Sequence, residues 1–171
     1  MTFLELAKKR FTSRSFIPRP VLIEDIMYIL EAARVAPSMG NTQSVRIYVL
    51  ESKEKLRKLS AFAQVHDAPA ALIICSEIDT AYKDPVELTN SGFADATVAA
   101  THIILAAADL DLGSVWVMKF NPEKIRVLFD IPKGTKPIHI IGLGKTAEVS
   151  NPNRHGLKRL PLTKIVSFLD Q

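Results

Sequence analysis

From Phe93 to Leu110, small and apolar side chains recur at steps of three and four: Ala96, Ala99, Ala100, Ile103, Ala107 and Leu110. That spacing stacks them on one face of a helix. A face made largely of alanine lets neighbouring backbones approach closely, so this helix belongs at the centre of a packed domain or between two copies. The other elements must be arranged around it. Its length approaches that of a membrane span, but Asp95, His102 and Asp109 break the apolar run and alanine contributes little to insertion. A core or dimer helix is the reading that fits.

Before it, Phe3, Leu4, Leu6 and Ala7 followed by Lys8, Lys9 and Arg10 predict a short amphipathic helix with its cations in the last turn, where the macrodipole favours them. The chain then turns at Thr12 and Ser13. Ile23, Ile26, Met27, Leu30, Ala33 and Val35 give a second helical face from Leu22 onward, stopped by Pro37. Val45 to Leu50 reads as a strand, Ser52 as the cap of a helix carrying Leu56 and Leu59, and Ala70 to Cys75 as a second strand. Residues 76–91 lack periodicity and read as a connection, partly ordered over a site. Val115 to Met118 is a third strand. Asn121, Pro122 and Glu123 open a helix to about Phe129, and Ile138 to Leu143 is a fourth strand. After Gly144 and Lys145 comes an irregular tail with Pro152 and Pro161, ending in apolar residues from Ile165 to Leu169. Such a tail needs a surface to lie on. Strands separated by unequal helices, with no regular βαβ repetition, predict an α+β fold around a mixed sheet.

With 171 residues, 47% of them hydrophobic, the chain carries one ordinary core and is expected to form a single domain over 1–171. A charged fraction of 23% leaves no disorder signature. The net charge of +4 and pI of about 9.2 suit nucleic acid, an anionic membrane or a phosphate-bearing ligand. The cations form no long run and no zinc, basic-zipper or RNA-binding signature appears, so nucleic acid is not expected as a partner. Cys75, the only cysteine, sits in an apolar strand, which fits a reducing compartment. The N-terminal residues lack the basic-then-apolar order of a signal peptide, so a cytoplasmic location is expected.

Common catalytic signatures fail. Gly142-Leu143-Gly144-Lys145 lacks the gap and the hydroxyl residue of a P-loop and reads as a strand end, and neither a dinucleotide fingerprint nor a serine-hydrolase elbow is present. His66, His102, His139 and His155 are scattered without metal-ligand spacing, so no metal is expected. Three segments remain. Arg10-Phe11-Thr12-Ser13-Arg14 places two guanidiniums beside hydroxyls at a helix end; it reads either as a charged surface turn or as a phosphate grip, since the guanidinium fork matches phosphate oxygens. Residues 36–43, Ala-Pro-Ser-Met-Gly-Asn-Thr-Gln, form either a plain turn or a loop of small and amide groups able to meet a flat heterocycle. Lys158-Arg159-Leu160-Pro161-Leu162 is a tail charge or a third contribution to the same site.

In content and order these segments resemble the nitroreductase family of flavin mononucleotide (FMN) oxidoreductases. The family pattern is Arg-Arg-Ser-x-Arg near the N-terminus, Ala-Pro-Ser-x-x-Asn-x-Gln after the second helix, Gly-Leu-Gly-Ser-x-Trp after a long central helix, and a late Arg-Leu-Pro. This chain has Arg10 to Arg14, Ala36 to Gln43, Asp111-Leu112-Gly113-Ser114-Val115-Trp116, and Arg159-Leu160-Pro161. Phe11 stands where the second arginine is usual, Ser44-Val45 replaces a common Pro-Trp, and the inserted helices of larger members are missing.

The resemblance implies a mostly antiparallel central sheet flanked by helices, in a homodimer with two flavin sites at the interface. It implies that Arg10, Phe11, Thr12 and Arg14, joined by Arg159, surround the phosphate and ribityl chain. Pro37, Ser38 and Met39 would come from the other subunit, with Asn41 near the ring, and Val117 and Met118 would offer backbone groups to it. The tail, about 146–171, would pack on the partner. The implied activity is ping-pong electron transfer from NADH or NADPH through FMN to a small electron-poor acceptor such as a nitroaromatic or quinone, with no side chain assigned as catalytic because the cofactor carries the chemistry. The alternatives are a flavin-binding or flavin-buffering protein with little turnover, and other superfamily chemistry such as reductive dehalogenation or flavin breakdown.

Overall fold

The computed structural model describes residues 1–86, 89–151 and 153–169. The expectations for Pro152, for the middle of the 76–91 connection and for the last two residues of the tail fall outside them. Six helices and four strands follow one another as α1 (Phe3–Lys9), α2 (Ile23–Arg34), β1 (Val45–Leu50), α3 (Lys53–Ser60), β2 (Ala70–Glu77), α4 (Gly92–Asp109), β3 (Gly113–Val117), α5 (Pro122–Leu128), β4 (Thr135–Gly144) and α6 (Arg154–Lys158). The capping signals act as their chemistry requires. Thr2 and Glu5 form a reciprocal capping box on α1, while the side chains of Ser52 and Asn121 accept backbone N–H groups at the starts of α3 and α5.

The strands pair antiparallel in the order β1-β2-β4-β3, so the sheet is antiparallel throughout its strands rather than mixed; Thr12 makes only an isolated parallel bridge to Ser114 at its edge. β2 is central, and its residues from Ala70 to Ser76 are all buried, which is why it reads as a continuous apolar run rather than an alternating one. Helices cover both faces. On one, Ile26, Ile29 and Ala33 of α2 and Ala96, Ala99, Ala100 and Ile103 of α4 pack with Leu72, Ile74, Ile141 and Leu143. On the other, Leu56 and Leu59 of α3 and Ile125 of α5 pack with Ile73, Cys75, Val115 and Ile140. Burial pushes the Cys75 thiol up to about 12, which leaves it protonated and inert.

The central helix predicted from Phe93 to Leu110 lies one residue earlier at each end, and its alanine face is the buried one. Other boundaries differ for physical reasons. β3 starts at Gly113 and β4 at Thr135, ahead of the β-branched residues that mark them in sequence, because pairing recruits the flanking positions: Gly113 lies opposite Gly144, and Thr135 opposite Glu77. The buried stripe of α2 runs through Ile26, Ile29 and Ala33 and leaves Met27 58% exposed, although its spacing fits a core position. The tail contains the short helix α6, and its residues from Gly156 to Leu169 are all exposed, including Leu160, Leu162, Ile165 and Phe168.

Candidate functional site

The last turn of α1 carries Arg10 to the C-terminal end of α4. Arg10 caps α1, is half-buried, and with Phe11 lines a cavity of about 250 Å³ closed by Ala108, Leu112, Ser114 and Glu148. The neighbouring Lys9 pairs with Asp111 at 2.6 Å, which ties the helix end to the turn between α4 and β3. From α6, Arg154 donates to the carbonyls of Lys8 at 3.0 Å and Arg10 at 2.5 Å, satisfying groups that a helix leaves open at its end. Burial, together with the nearby cations Arg154 and Arg159, lowers the pKa of the Arg10 guanidinium. Among the described residues, Arg10, Arg14 and Arg159 form no ion pair with a carboxylate. The two carboxylates at this cavity are engaged elsewhere, Asp111 by Lys9 and Glu148 by Ser13 and two backbone N–H groups, so the guanidiniums gathered here fit a multivalent anion.

The segment that follows is extended. Thr12 and Arg14 are exposed, while Ser13 between them turns inward and is buried. The Ser13 hydroxyl bonds to the Glu148 carboxylate, and the same oxygen accepts the N–H groups of Arg14 at 2.8 Å and Ser15 at 3.1 Å. These bonds hold the Glu148 carboxyl below the usual carboxylate range and lock the turn that presents the Arg14 side chain.

The Ser13 N–H donates to the Ser114 carbonyl at 2.9 Å, so the polar groups of Ser114 face away from β4. Strand alternation points those of Trp116 the same way and those of Val117 onto β4, opposite Ile140. Val117 is also buried, whereas Met118, just beyond the strand, is 59% exposed. Of the two expected backbone contacts to a ring, Val117 is therefore committed to the sheet and Met118 is open. Behind this strand end, His139 is fully buried between the rings of Phe93 and Trp116, with its Nε2 2.9 Å from the Thr97 hydroxyl. Burial lowers its pKa to about 4, so the imidazole is neutral. The Trp116 Nε1 and His139 Nδ1 are buried without a hydrogen-bond partner among the described residues.

Pro37, Ser38, Met39 and Asn41 lie at the other end of α4. A short 3₁₀ turn spans Met39–Asn41, and Gly40, Asn41 and Gln43 have φ values of 57°, 54° and 52°. This left-handed region suits glycine and is tolerated by asparagine. The Ser38 hydroxyl accepts the Gln43 N–H at 2.9 Å. Asp95, only 4% exposed, accepts the Met39 N–H at 2.9 Å and the hydroxyls of Ser44 at 3.2 Å and Ser91 at 2.7 Å. The loop is thus held firmly while Pro37, Met39 and Asn41 stay exposed. It rims a second cavity of about 320 Å³.

The structure therefore brings Arg10, Phe11, Thr12, Arg14 and Arg159 to one end of α4 and residues 37–41 to the other. At about 1.5 Å rise per residue, the axis from Asp95 to Ala108 spans about 20 Å. Sequence reasoning missed Ser13, Glu148 and Arg154, which build the Arg10 end, and read Asp95 only as a break in an apolar run. A signal for Asp95 was present: it precedes Ala99 and Ile103 at steps of four, which places a carboxylate on the buried face, where it must find donors.

Comparison with known proteins bears on this arrangement. The nitroreductase family model matches residues 7–66 and 59–145. A Methanothermobacter thermautotrophicus protein provisionally named NADH dehydrogenase/NAD(P)H nitroreductase is 35% identical over 167 residues, covering 92% of this chain and 83% of its own. The FMN reductase (NAD(P)H) of Bacillus subtilis is 30% identical over 156 residues, 80% of this chain and 63% of its own. A solved structure of a nitroreductase family protein from Clostridium difficile 630 superposes with a TM-score of 0.95 at 38% identity, covering 99% of both chains. With the Arg10 turn, the Ser38 loop and the end of β3 all inside the matched residues, the chain belongs to the nitroreductase family.

Proposed function

We propose that the chain is an NAD(P)H-dependent FMN oxidoreductase that works as a pair of copies, each cofactor lying between the Arg10 end of one copy and the Ser38 loop of the other. The observation that carries this reading is the half-buried, unpaired Arg10 with Arg154 and Arg159 beside it, a donor set suited to a phosphate dianion. A cavity of about 250 Å³ takes a phosphate and part of a chain but falls below the range of about 300–1,000 Å³ usual for whole organic ligands. A second wall is required, and the largely exposed loop 37–41 supplies one only from another copy, because within one chain it lies at the opposite end of α4.

Bound FMN supplies the capacity to take up and release an electron pair; the chain supplies binding, orientation and exclusion of water. Arg10 and Arg159 grip the phosphate, with Thr12 and Arg14 along the ribityl chain. The backbone at Met118 faces the ring, and Pro37, Ser38, Met39 and Asn41 of the second copy close over it. NADH or NADPH and an electron-poor nitroaromatic or quinone use the pocket by turns, in ping-pong order. The exposed apolar tail lies on the partner. Among the described residues no helix is long and apolar enough to cross a membrane, and the protonated, buried Cys75 accords with our assignment to the cytoplasm.

Stopped-flow mixing of the flavin-loaded protein with NADH and with NADPH tests this. Bleaching of the flavin band far faster than that of free FMN, followed by recovery with a quinone, is expected. Bleaching no faster than free flavin would leave a flavin-binding protein without reductase activity, and protein that neither purifies yellow nor quenches added FMN removes the flavin site altogether.

A further inference from the structure

Asp95 does more than tolerate burial. Its carboxylate joins three segments: the Met39 N–H from the loop, the Ser44 hydroxyl just before β1, and the Ser91 hydroxyl ahead of α4. Ser91 in turn accepts the Tyr82 N–H at 3.1 Å, and Ser44 accepts from the Ser76 hydroxyl at 3.4 Å. The Tyr82 ring lies so close to Gly40 that a Cβ there would sit 3.3 Å from it. The loop is largely exposed and runs through three left-handed residues. A backbone in that region persists only where its surroundings over-determine it. Here the surroundings include the Ser38 hydroxyl on the Gln43 N–H, the Tyr82 ring beside Gly40 and, tying the loop to α4, one buried carboxylate.

We infer that Asp95 is a positioning residue that fixes the Pro37–Met39 backbone of one copy against the flavin whose phosphate is held by Arg10 of the other copy. This rests on the shared flavin site proposed above. The carboxylate touches neither cofactor nor substrate; it acts through the loop and couples it, through Ser91, to Tyr82. Because Asp95 and Arg10 sit at opposite ends of α4, the two residues serve different sites within a pair. Damage to one is therefore complemented by a chain carrying damage to the other.

The test is a cross between D95A and R10A. Each homodimer is titrated with FMN by fluorescence quenching, and each is expected to bind about tenfold or more weakly than wild type, the scale of one lost charge-assisted hydrogen bond. Differently tagged D95A and R10A chains are then co-expressed and the mixed pair purified through both tags. One site in that pair carries both lesions and the other carries neither, so one FMN per two chains should bind with wild-type affinity. D95N, which keeps an acceptor oxygen for the Met39 N–H, should recover affinity to within about threefold of wild type. Where the alanine chain does not fold, D95S enters the cross instead, since its short hydroxyl does not reach Met39. A mixed pair with two weak sites overturns the assignment of Asp95, because a general structural role, or action on its own chain's Arg10 site, gives no complementation. Wild-type protein that fails to quench FMN overturns the flavin site itself, a distinguishable failure.

Discussion

Arg10 is held half-buried beside Arg154 and Arg159 and, among the described residues, forms no ion pair, so part of its free energy is recovered only when an anion arrives. Replacing it with alanine is expected to weaken FMN binding by about 1.5–3 kcal/mol, roughly ten- to a hundredfold, while leaving the melting temperature of the flavin-free protein unchanged or raised. Titration and thermal melts on the same preparation check both halves. R10K, which keeps charge but loses the fork, should fall between the two. His139 gives a second prediction at this scale. Its pKa is depressed from 6.5 to about 4 in the folded chain, so below 6.5 the unfolded chain takes up a proton that the folded chain refuses. Stability is therefore full above about pH 6.5 and lost as pH falls towards 4, by about 3 kcal/mol at most. Urea unfolding at pH 7 and pH 4.5 measures the loss, and H139Q should remove most of that dependence. A slope unchanged in H139Q would assign it to other groups.

Among the elements, α4 shows how far the sequence can be read. Its alanine spacing is strong enough to locate it within a residue, and the position of its buried face follows directly. Ala100 is fully buried there, so A100L is expected to destabilise the fold by about 1–3 kcal/mol through overpacking, seen as a lower urea midpoint. The strands β1 and β2 are also legible, β1 because β-branched residues alternate through it and β2 because it is a short continuous apolar run. The starts of β3 and β4 are not, because Gly113 and Thr135 owe their extended conformation to partners across the sheet rather than to their own preference. The 3₁₀ turn at Met39 and the helix α6 are invisible for a related reason. The turn depends on Asp95, more than fifty residues away in sequence, and α6 contains Gly156 and is anchored through Arg154 to carbonyls of α1. For the site, the legible part consists of short motifs with side chains suited to phosphate. The supporting residues Ser13, Glu148 and Asp95 are single polar groups whose partners only the folded chain identifies.

At the scale of the molecule, the tail is the least self-sufficient part. Leu160, Leu162, Ile165 and Phe168 are exposed on a chain that already has a complete two-faced core. On the paired arrangement proposed above, truncation after Arg159 is expected to leave the melting temperature of the single chain nearly unchanged but to give a monomer in light scattering where the full chain gives a dimer, with loss of bound flavin. A truncated chain that remains dimeric and yellow would place the interface elsewhere, on the exposed faces of α1 and α2. The separation of the Arg10 turn and the Ser38 loop along α4 has a last consequence. The divided site proposed above ties cofactor retention to mass action: on that proposal, diluting the protein below the dissociation constant of the pair releases flavin even when free flavin is held constant, and raising flavin tightens the pair by the same linkage. Flavin occupancy should then depend on how much of the protein is present as well as on how much flavin surrounds it.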